Sequence, residues 1–219
     1  MKVKLALPKG EIQAGTVKVL QRVGLEIRNY DSKSRNYRPR IAALPEAAVK
    51  VFSEKDVPIQ VAVGNYQLGI CGLDWIEELK IKYPAASLSP MIDLGFGQKK
   101  IWACVSEFSA FRSLHELTRQ FDGRVMRIVS EYPNLAEMFA FRMRLKAFKI
   151  FPVWGAAEAY PPEDAELAIV SAFSEEGLAG LHLYPVEEIL SSSVHLTVNS
   201  NCFERQDLSA LIAYFYKVI

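Results

Sequence analysis

The pair Lys9-Gly10 is the first place in the sequence where residue types and spacing suggest binding chemistry. It ends the apolar run "KVKLALP" and precedes a helical pattern, so it lies where a predicted strand gives way to a helix. Free backbone N–H groups, the helix dipole and the Lys9 ammonium could all point at one anion there. The plainer interpretation is an ordinary turn with a lysine in solvent, and Glu11 in the first helical turn would compete with an anion. Both interpretations stay open on the sequence alone.

Two further turns follow predicted buried strands. In "LGICGLDW", Gly69 and Gly72 border the strand and Asp74 stands at a predicted helix N-cap, but glycine permits a tight turn as readily as the close approach of a ligand. In "LAIVSAFSEEGLAGL", an apolar run breaks into a small-residue turn typical of phosphate cradles, yet this turn carries Glu175 and Glu176. Two carboxylates are unexpected beside a phosphate.

The elements that must position these residues alternate between strand and helix. After the first strand, apolar side chains recur at helical spacing from Ile12 to Val23, and Gly24 stops the helix. The same alternation continues to a final helix that is predicted to begin at Asp207. The pattern predicts an α/β fold with largely parallel sheets.

The glycine-containing stretch "MIDLGFGQKK" predicts a crossover between two lobes. We expect residues 1–97 and 184–219 to form lobe I and residues 98–183 to form lobe II. Ligands of such folds bind at the carboxyl ends of the strands, in the cleft.

Composition excludes several classes of function. The formal net charge of the 219-residue chain is +1, so there is no bulk field for nucleic acid or membrane. The basic run from Arg142 to Lys149 is interpreted as a solvated surface, with Arg142 and Lys146 on one helical face. No apolar run reaches the ~18 residues of a membrane span and no signal peptide is evident, so we expect a cytoplasmic protein.

Metal, thiol and serine chemistry find little support. The three histidines lack metal-ligand spacing, no serine lies in a G-x-S-x-G turn, and the cysteines are far apart in apolar surroundings: His115, His182, His195; Cys71, Cys104, Cys202. We interpret the cysteines as reduced core thiols.

Read together and in order, several motifs resemble the short-form ATP phosphoribosyltransferases, which begin histidine biosynthesis. The matching pieces span nearly the whole chain: "LALPKG", "SRNYR", "KDVPIQVAVG", "LGICGLD", "DLGFG", "EYPNLAEMFA", "VWGAAEA" and "VEEILSSSVHLTVN". The resemblance implies a two-lobed fold like that of type II periplasmic binding proteins. It also implies a glycosyltransferase that joins N1 of ATP to phosphoribosyl pyrophosphate, with Mg²⁺ holding the leaving pyrophosphate.

The resemblance further implies partners and substrate contacts. Short-form members lack a C-terminal regulatory domain and work with a separate regulatory subunit related to histidyl-tRNA synthetases, so a homo- or hetero-oligomer is expected. The matching positions in this chain predict substrate contacts at Lys9, Gly10, Arg35, Gly69, Gly72, Asp74, Glu158, Ser174 and Gly177. The reaction calls for cations and backbone N–H groups around two polyanions, and no catalytic residue is assigned.

The chain departs from the family pattern at anion-contacting positions. Glu11 and the run Ser53-Glu54-Lys55 stand where the family usually has arginine. In the phosphoribosyl pyrophosphate loop, Ser171 stands for the family's Asp and "SEEGLAG" for its Thr-Gly-x-Thr-Leu. Ser174 and Gly177 keep part of that loop, while Glu175 and Glu176 either hold Mg²⁺ or repel the substrate. The alternative is therefore a catalytically degenerate relative that acts as a small-molecule binding module or a non-catalytic subunit.

Overall fold

The computed structural model of the protein describes residues 3–216, which contain ten strands, eight α-helices and one short 3-10 helix at Ala157–Ala159. The strands are β1 (Lys4–Lys9), β2 (Ala48–Ser53), β3 (Leu68–Gly72), β4 (Ser89–Asp93), β5 (Lys99–Ser106), β6 (Met126–Ser130), β7 (Phe148–Pro152), β8 (Leu167–Ala172), β9 (Leu183–Ser192) and β10 (Val194–Val198). The helices are α1 (Gln13–Arg22), α2 (Asp56–Ala62), α3 (Leu73–Lys82), α4 (Leu114–Gln120), α5 (Pro133–Arg142), α6 (Glu175–Ala179), α7 (Ser200–Arg205) and α8 (Ser209–Phe215). The alternation of strands and helices confirms the predicted α/β class.

The chain divides into two compact units. Unit 1 takes the residues up to Gln98 and from Ser193 onward, and unit 2 takes Lys99–Ser192. The chain leaves unit 1 within the predicted crossover stretch. It returns at Ser193, later than the expected residue 184, because β9 pairs along its length with β5 and so belongs to unit 2.

The sheet of unit 1 has the strand order β2-β1-β3-β10-β4. β1 is parallel to β2 and β3, whereas β10 is antiparallel to both of its neighbours. Leu5 and Leu7 of β1 face one apolar cluster and Ala6 faces another, so this strand is buried on both faces. Burial on both faces is typical of a central strand with parallel neighbours.

Helix α1 packs the predicted apolar face onto this sheet. Ile12, Thr16 and Leu20 are buried, and Gly24 has a φ of 81° just after the helix ends. That left-handed conformation favours glycine, which is why the helix stops there.

The sheet of unit 2 has the order β7-β6-β8-β5-β9 and repeats the same pattern of directions. β6 is parallel to β7 and β8, and β5 runs antiparallel to β8 and β9. The carboxyl ends of β6, β7 and β8 therefore meet at one edge of the sheet.

Helix α5 is shorter than the periodicity predicts. It ends at Arg142, and Arg144 has a φ of 52° in the turn that follows. Lys146 therefore lies outside the helix, and the prediction that it shares a helical face with Arg142 is wrong. Arg142 pairs with Glu187 at 3.5 Å and Lys146 pairs with Asp122 at 2.6 Å.

Within residues 3–216, no helix has both the length and the apolar character needed to cross a membrane.

Candidate functional site: a cationic cavity and a phosphate-loop turn

A polar cavity of about 410 Å³ opens at the carboxyl end of β1, in unit 1. We call it the Lys9 cavity; it is lined by Lys9, Gln13, Asn29, Tyr30, Asp31, Ser32, Lys33, Ser34, Arg35, Asn36, Tyr37 and Val51. Three cationic side chains, those of Lys9, Lys33 and Arg35, face one acid, Asp31. The Lys9 ammonium lies 5.1 Å from the centre of the Tyr37 ring. The predicted substrate contacts Lys9 and Arg35 are thus brought together across 26 residues of sequence.

The loop that carries most of this lining is shaped by side chains that bond to its own backbone. Asp31 Oδ1 accepts hydrogen bonds from the backbone N–H groups of Lys33 and Ser34, both at 2.9 Å. Asn36 Oδ1 accepts from the Arg38 N–H at 3.0 Å. Such local turns order a loop that lacks regular structure. They also engage Asp31 Oδ1 in hydrogen bonds to backbone N–H groups.

Buried Tyr30 fixes the start of this loop to β1, because its hydroxyl donates to the backbone carbonyl of Pro8. Burial raises the pKa of the Tyr30 phenol, so Tyr30 stays a neutral donor. The cavity therefore rests on a fixed attachment one residue before Lys9.

At the N-terminus of α1, next to Lys9-Gly10, the protein's own carboxylate meets a free backbone N–H. Glu54, just after β2, places Oε1 2.9 Å from the Ile12 N–H and accepts its hydrogen bond. A Cβ added to Gly10, whose φ is 118°, would lie 3.0 Å from the same oxygen. An internal carboxylate thus takes the position at the helix N-terminus that an anion would take, and Glu54 rather than Glu11 makes this contact.

Gly69, Gly72 and Asp74 lie outside the Lys9 cavity, in packed positions of unit 1. A Cβ on Gly69 would approach side-chain carbons of Val57 and Val61 to 2.8 Å, so glycine lets α2 pack on β3. A Cβ on Gly72 would lie 2.1 Å from Asp74 Oδ1, and Asp74 is fully buried. Close packing against neighbouring side chains is therefore enough to account for glycine at positions 69 and 72 and for the buried Asp74.

The turn between β8 and α6 in unit 2 is organised by Ser174. Its side chain caps α6 and accepts the Gly177 N–H at 3.3 Å. Glu175 and Glu176 are exposed in the first turn of this helix. The Glu176 backbone N–H and the Ser174 hydroxyl hold the pKa of the Glu176 carboxyl below its ordinary value. Ser174 and Gly177 therefore lie in one capped turn, with the carboxylates of Glu175 and Glu176 beside it.

Among residues 3–216, the turn holds no preformed metal site of three or more protein ligands. Throughout the part of the chain that the structure describes, no three His, Cys, Asp or Glu side chains cluster closely enough to hold an ion. Glu158 lies in the 3-10 helix of unit 2, half-buried and away from such a grouping. Glu175 and Glu176 supply two carboxylates at most, so a Mg²⁺ ion held here would complete its octahedral shell with water and substrate phosphate oxygens.

The prediction that the cysteines are core thiols is confirmed for two of the three. Cys71 and Cys104 are buried, and Cys202 is half-buried. Burial raises the pKa of the Cys104 thiol to about 12. Burial, with the charges of Asp74 and Glu54, also raises the pKa of Cys71. Both thiols are protonated at neutral pH and make poor nucleophiles.

Sequence reasoning missed Lys33, Asn29 and Tyr37 in the Lys9 cavity and the capping role of Glu54. The signal for the first three was the run of turn-forming and basic residues from Asn29 to Arg40, which has no helix or strand period. Glu54 gave no local signal, since its partner Ile12 is 42 residues away.

Comparison with known proteins gives consistent results. Residues 53–217 match the family model HisG, described as ATP phosphoribosyltransferase. The ATP phosphoribosyltransferase of Gemmatimonas aurantiaca is 30% identical over 99% of this chain and 73% of its own length. That of Thermosynechococcus vestitus is 29% identical over 96% of this chain and 94% of its own length.

Solved structures agree on the fold. The ATP phosphoribosyl transferase (HisG:HisZ) complex from Thermotoga maritima contains a chain with a TM-score of 0.78 and 18% identity, covering 99% of this chain and 98% of that one. The periplasmic aliphatic sulphonate binding protein SsuA from Escherichia coli has a TM-score of 0.56 and 13% identity, covering 99% and 68%. The predicted likeness to periplasmic binding proteins is confirmed. By the family model and its relatives, the chain belongs to the ATP phosphoribosyltransferase family.

Proposed function

We propose that the chain carries out its family's reaction and that the Lys9 cavity binds phosphate groups of one of the two substrates. In that reaction N1 of ATP bonds to the anomeric carbon of phosphoribosyl pyrophosphate. The bond from that carbon to the pyrophosphate oxygen breaks, and pyrophosphate leaves with the electron pair. The observation that carries the proposal is that Lys9, Lys33 and Arg35 line one polar cavity with a single acid.

The chemistry favours such a cavity over a dedicated nucleophile. The ring nitrogen of ATP is itself the attacking group, so the protein must align two polyanions and balance the charge of the leaving group. Lys9 supplies a compact ammonium, whereas Arg35 can meet two phosphate oxygens at once. The Asp31 oxygen that bonds to the loop backbone is already occupied, which limits its repulsion of a phosphate.

The turn of Ser174 and Gly177 is proposed as the remaining part of the phosphoribosyl pyrophosphate loop. Its support is the family resemblance together with the position of the turn at the carboxyl end of β8. The Ser174 cap orders the turn in advance of binding, and Glu158 is proposed as a further substrate contact in the same unit. The other predicted contacts have side chains of the protein itself as neighbours, so we propose that they shape the fold around the site rather than touch substrate: Gly10, Gly69, Gly72 and Asp74.

Magnesium is proposed as part of the substrate. Bound to the pyrophosphate oxygens of phosphoribosyl pyrophosphate, it would balance the charge of the leaving group. The two exposed glutamates of the turn, Glu175 and Glu176, would then face a metal-bearing substrate rather than a bare polyanion, which lessens their repulsion.

A regulatory partner is also proposed. The relative from Thermotoga maritima is a HisG:HisZ complex, and this chain covers 98% of the matched chain. We infer that this chain also assembles with a separate subunit, of the histidyl-tRNA-synthetase-like kind that the resemblance implies.

The test is pyrophosphate release from ATP and phosphoribosyl pyrophosphate with Mg²⁺, measured with and without the regulatory subunit of the same organism. Turnover is expected, and Lys9→Ala and Arg35→Ala are each expected to raise the KM of one substrate about tenfold, a loss of ~1.4 kcal/mol. Lys18→Ala is the control, because Lys18 is exposed on α1 and does not line the cavity. Absence of turnover under both conditions would identify a non-catalytic relative, and equal effects of all three variants would exclude the cavity.

A further inference from the structure

Two large aromatic side chains are exposed at the carboxyl edge of the sheet of unit 2. Trp154 has 84% of its surface exposed and Phe173 has 65% exposed. Trp154 comes two residues after the end of β7, and Phe173 comes directly after β8. Exposed apolar surface at the ligand-binding edge of an α/β sheet is a sign of a binding site.

Trp154 and Phe173 follow the two strands that border β6, and β8 extends three residues past the end of β6. Pro152 of β7 and Ile169 of β8 both pair with Ser130, the last residue of β6. Since neighbouring strands lie roughly 4.8 Å apart, β7 and β8 are about 10 Å apart at this edge. Glu158 and Ser174, both proposed substrate contacts, follow the same two strands.

The backbone at Trp154 is held in a defined turn. The Val153 N–H donates to the Ser130 carbonyl at 3.0 Å, immediately before the tryptophan. Immediately after it, Gly155 has a φ of 129° and Ala156 a φ of 55°. A left-handed alanine is sterically disfavoured and persists only where its surroundings impose it, so the turn presents the indole from a fixed position.

We propose that the indole of Trp154 is the surface on which the adenine ring of ATP stacks. Every purine has a flat π-face, and an aromatic side chain is the usual surface for it. Trp154 offers the larger and more exposed of the two rings, while Phe173 directly precedes the turn assigned to phosphoribosyl pyrophosphate.

This inference rests on the proposed function, and steady-state kinetics test it. Trp154→Ala is expected to raise the KM for ATP about tenfold and to leave the KM for phosphoribosyl pyrophosphate within about twofold. Trp154→Phe keeps a ring and is expected to restore most of the ATP affinity. Phe108→Ala is the matched control, because Phe108 is 73% exposed and follows the carboxyl end of the antiparallel β5, at the opposite edge of the sheet.

Equilibrium binding separates failure of the inference from failure of the proposed function. ATP is expected to quench tryptophan fluorescence in the wild-type chain, and Trp154→Phe, which retains Trp75 and Trp102, is expected to lose most of that quenching. If the wild-type chain shows no turnover, the proposed function fails while the quenching still tests the stacking. An unchanged ATP affinity in Trp154→Ala would overturn the inference, and an altered sedimentation of that variant would place Trp154 in a protein interface instead.

Discussion

The carboxylate of Glu54 decides the electrostatics at the start of α1. It accepts the Ile12 N–H at 2.9 Å, and its charge is felt by Tyr30 in the lining of the Lys9 cavity. A carboxylate at a helix N-terminus is worth ~0.3–1 kcal/mol through the helix dipole. The same charge opposes the binding of an anion nearby, so we expect Glu54 to stabilise the fold while weakening the proposed binding of substrate phosphate in the Lys9 cavity.

We therefore predict opposite effects of Glu54→Gln on stability and on binding. The amide oxygen can still accept the Ile12 N–H, so the free energy of unfolding is expected to fall by less than about 1 kcal/mol, as the charge–dipole term is lost. The KM for the substrate whose phosphates occupy the Lys9 cavity is expected to fall. Urea unfolding and initial-rate kinetics measure the two effects.

Glu46→Gln is the control for this prediction, because Glu46 is exposed and does not line the Lys9 cavity. It removes the same charge from the molecule. A KM change of the same size in both variants would mean that net charge, rather than the position of Glu54, sets the affinity.

At residue scale, the sequence predicts the parts of the site that follow from a strand end. Lys9 was found because β1 is a strong apolar run whose end is marked by Pro8 and Gly10. Arg35 was predicted through the family resemblance, whereas Lys33 was missed, since the loop from Asn29 to Arg38 has no period and is ordered by local side-chain hydrogen bonds. Glu54 could not be found because its contact joins two elements distant in sequence.

At the scale of elements, Ser174 is the residue that starts α6. Its side chain accepts the Gly177 N–H and interacts with the Glu176 carboxyl. Ser174→Ala is expected to lower the free energy of unfolding by ~0.5–2 kcal/mol through loss of the cap. The pKa of Glu176 is expected to rise toward its ordinary value, remaining somewhat low because the hydrogen bond from its own backbone persists. The KM for phosphoribosyl pyrophosphate is expected to rise as the turn loses its order.

Ser113→Ala is the matched control, because Ser113 caps α4 in the same way by accepting the Glu116 N–H at 3.2 Å. Chemical denaturation should show a similar loss for both variants, and NMR titration reports the Glu176 pKa. The proposed role of the turn is contradicted if Ser113→Ala raises the KM for phosphoribosyl pyrophosphate as much as Ser174→Ala does.

The elements themselves were predictable where local pattern decides. The buried face of α1 and its stop at Gly24 follow from spacing and from the preference of glycine for positive φ. The end of α5 was not predictable, since Arg144 rather than glycine takes the left-handed position after it. Nor was the membership of β9, which depends on its pairing with β5 about 80 residues away.

At the scale of the whole molecule, the two units differ in how the chain builds them. Unit 2 is one continuous segment, Lys99–Ser192, and contains all five strands of its sheet. Unit 1 needs two segments, because β10 lies between β3 and β4 and is contributed after the chain returns. Its core also includes apolar residues of the returning segment: Val194, Leu196, Val198, Leu208, Leu211, Ile212 and Phe215.

This difference predicts how fragments behave. A fragment of residues 99–192 is expected to unfold cooperatively in urea with the circular dichroism of a mixed α/β protein, since it holds a complete sheet and its own apolar cluster around Val129 and Ala168.

A fragment of residues 1–98 is the comparison, of similar length but without β10. It is expected to lack a cooperative transition, because β4 has no neighbouring strand and a large part of the core is missing. Adding residues 193–219 back through a short flexible linker after residue 98 is expected to restore the transition, as linker length adds little to the entropy of closure. Cooperative unfolding of residues 1–98 alone, or none in residues 99–192, would contradict this account of how the chain forms its two units.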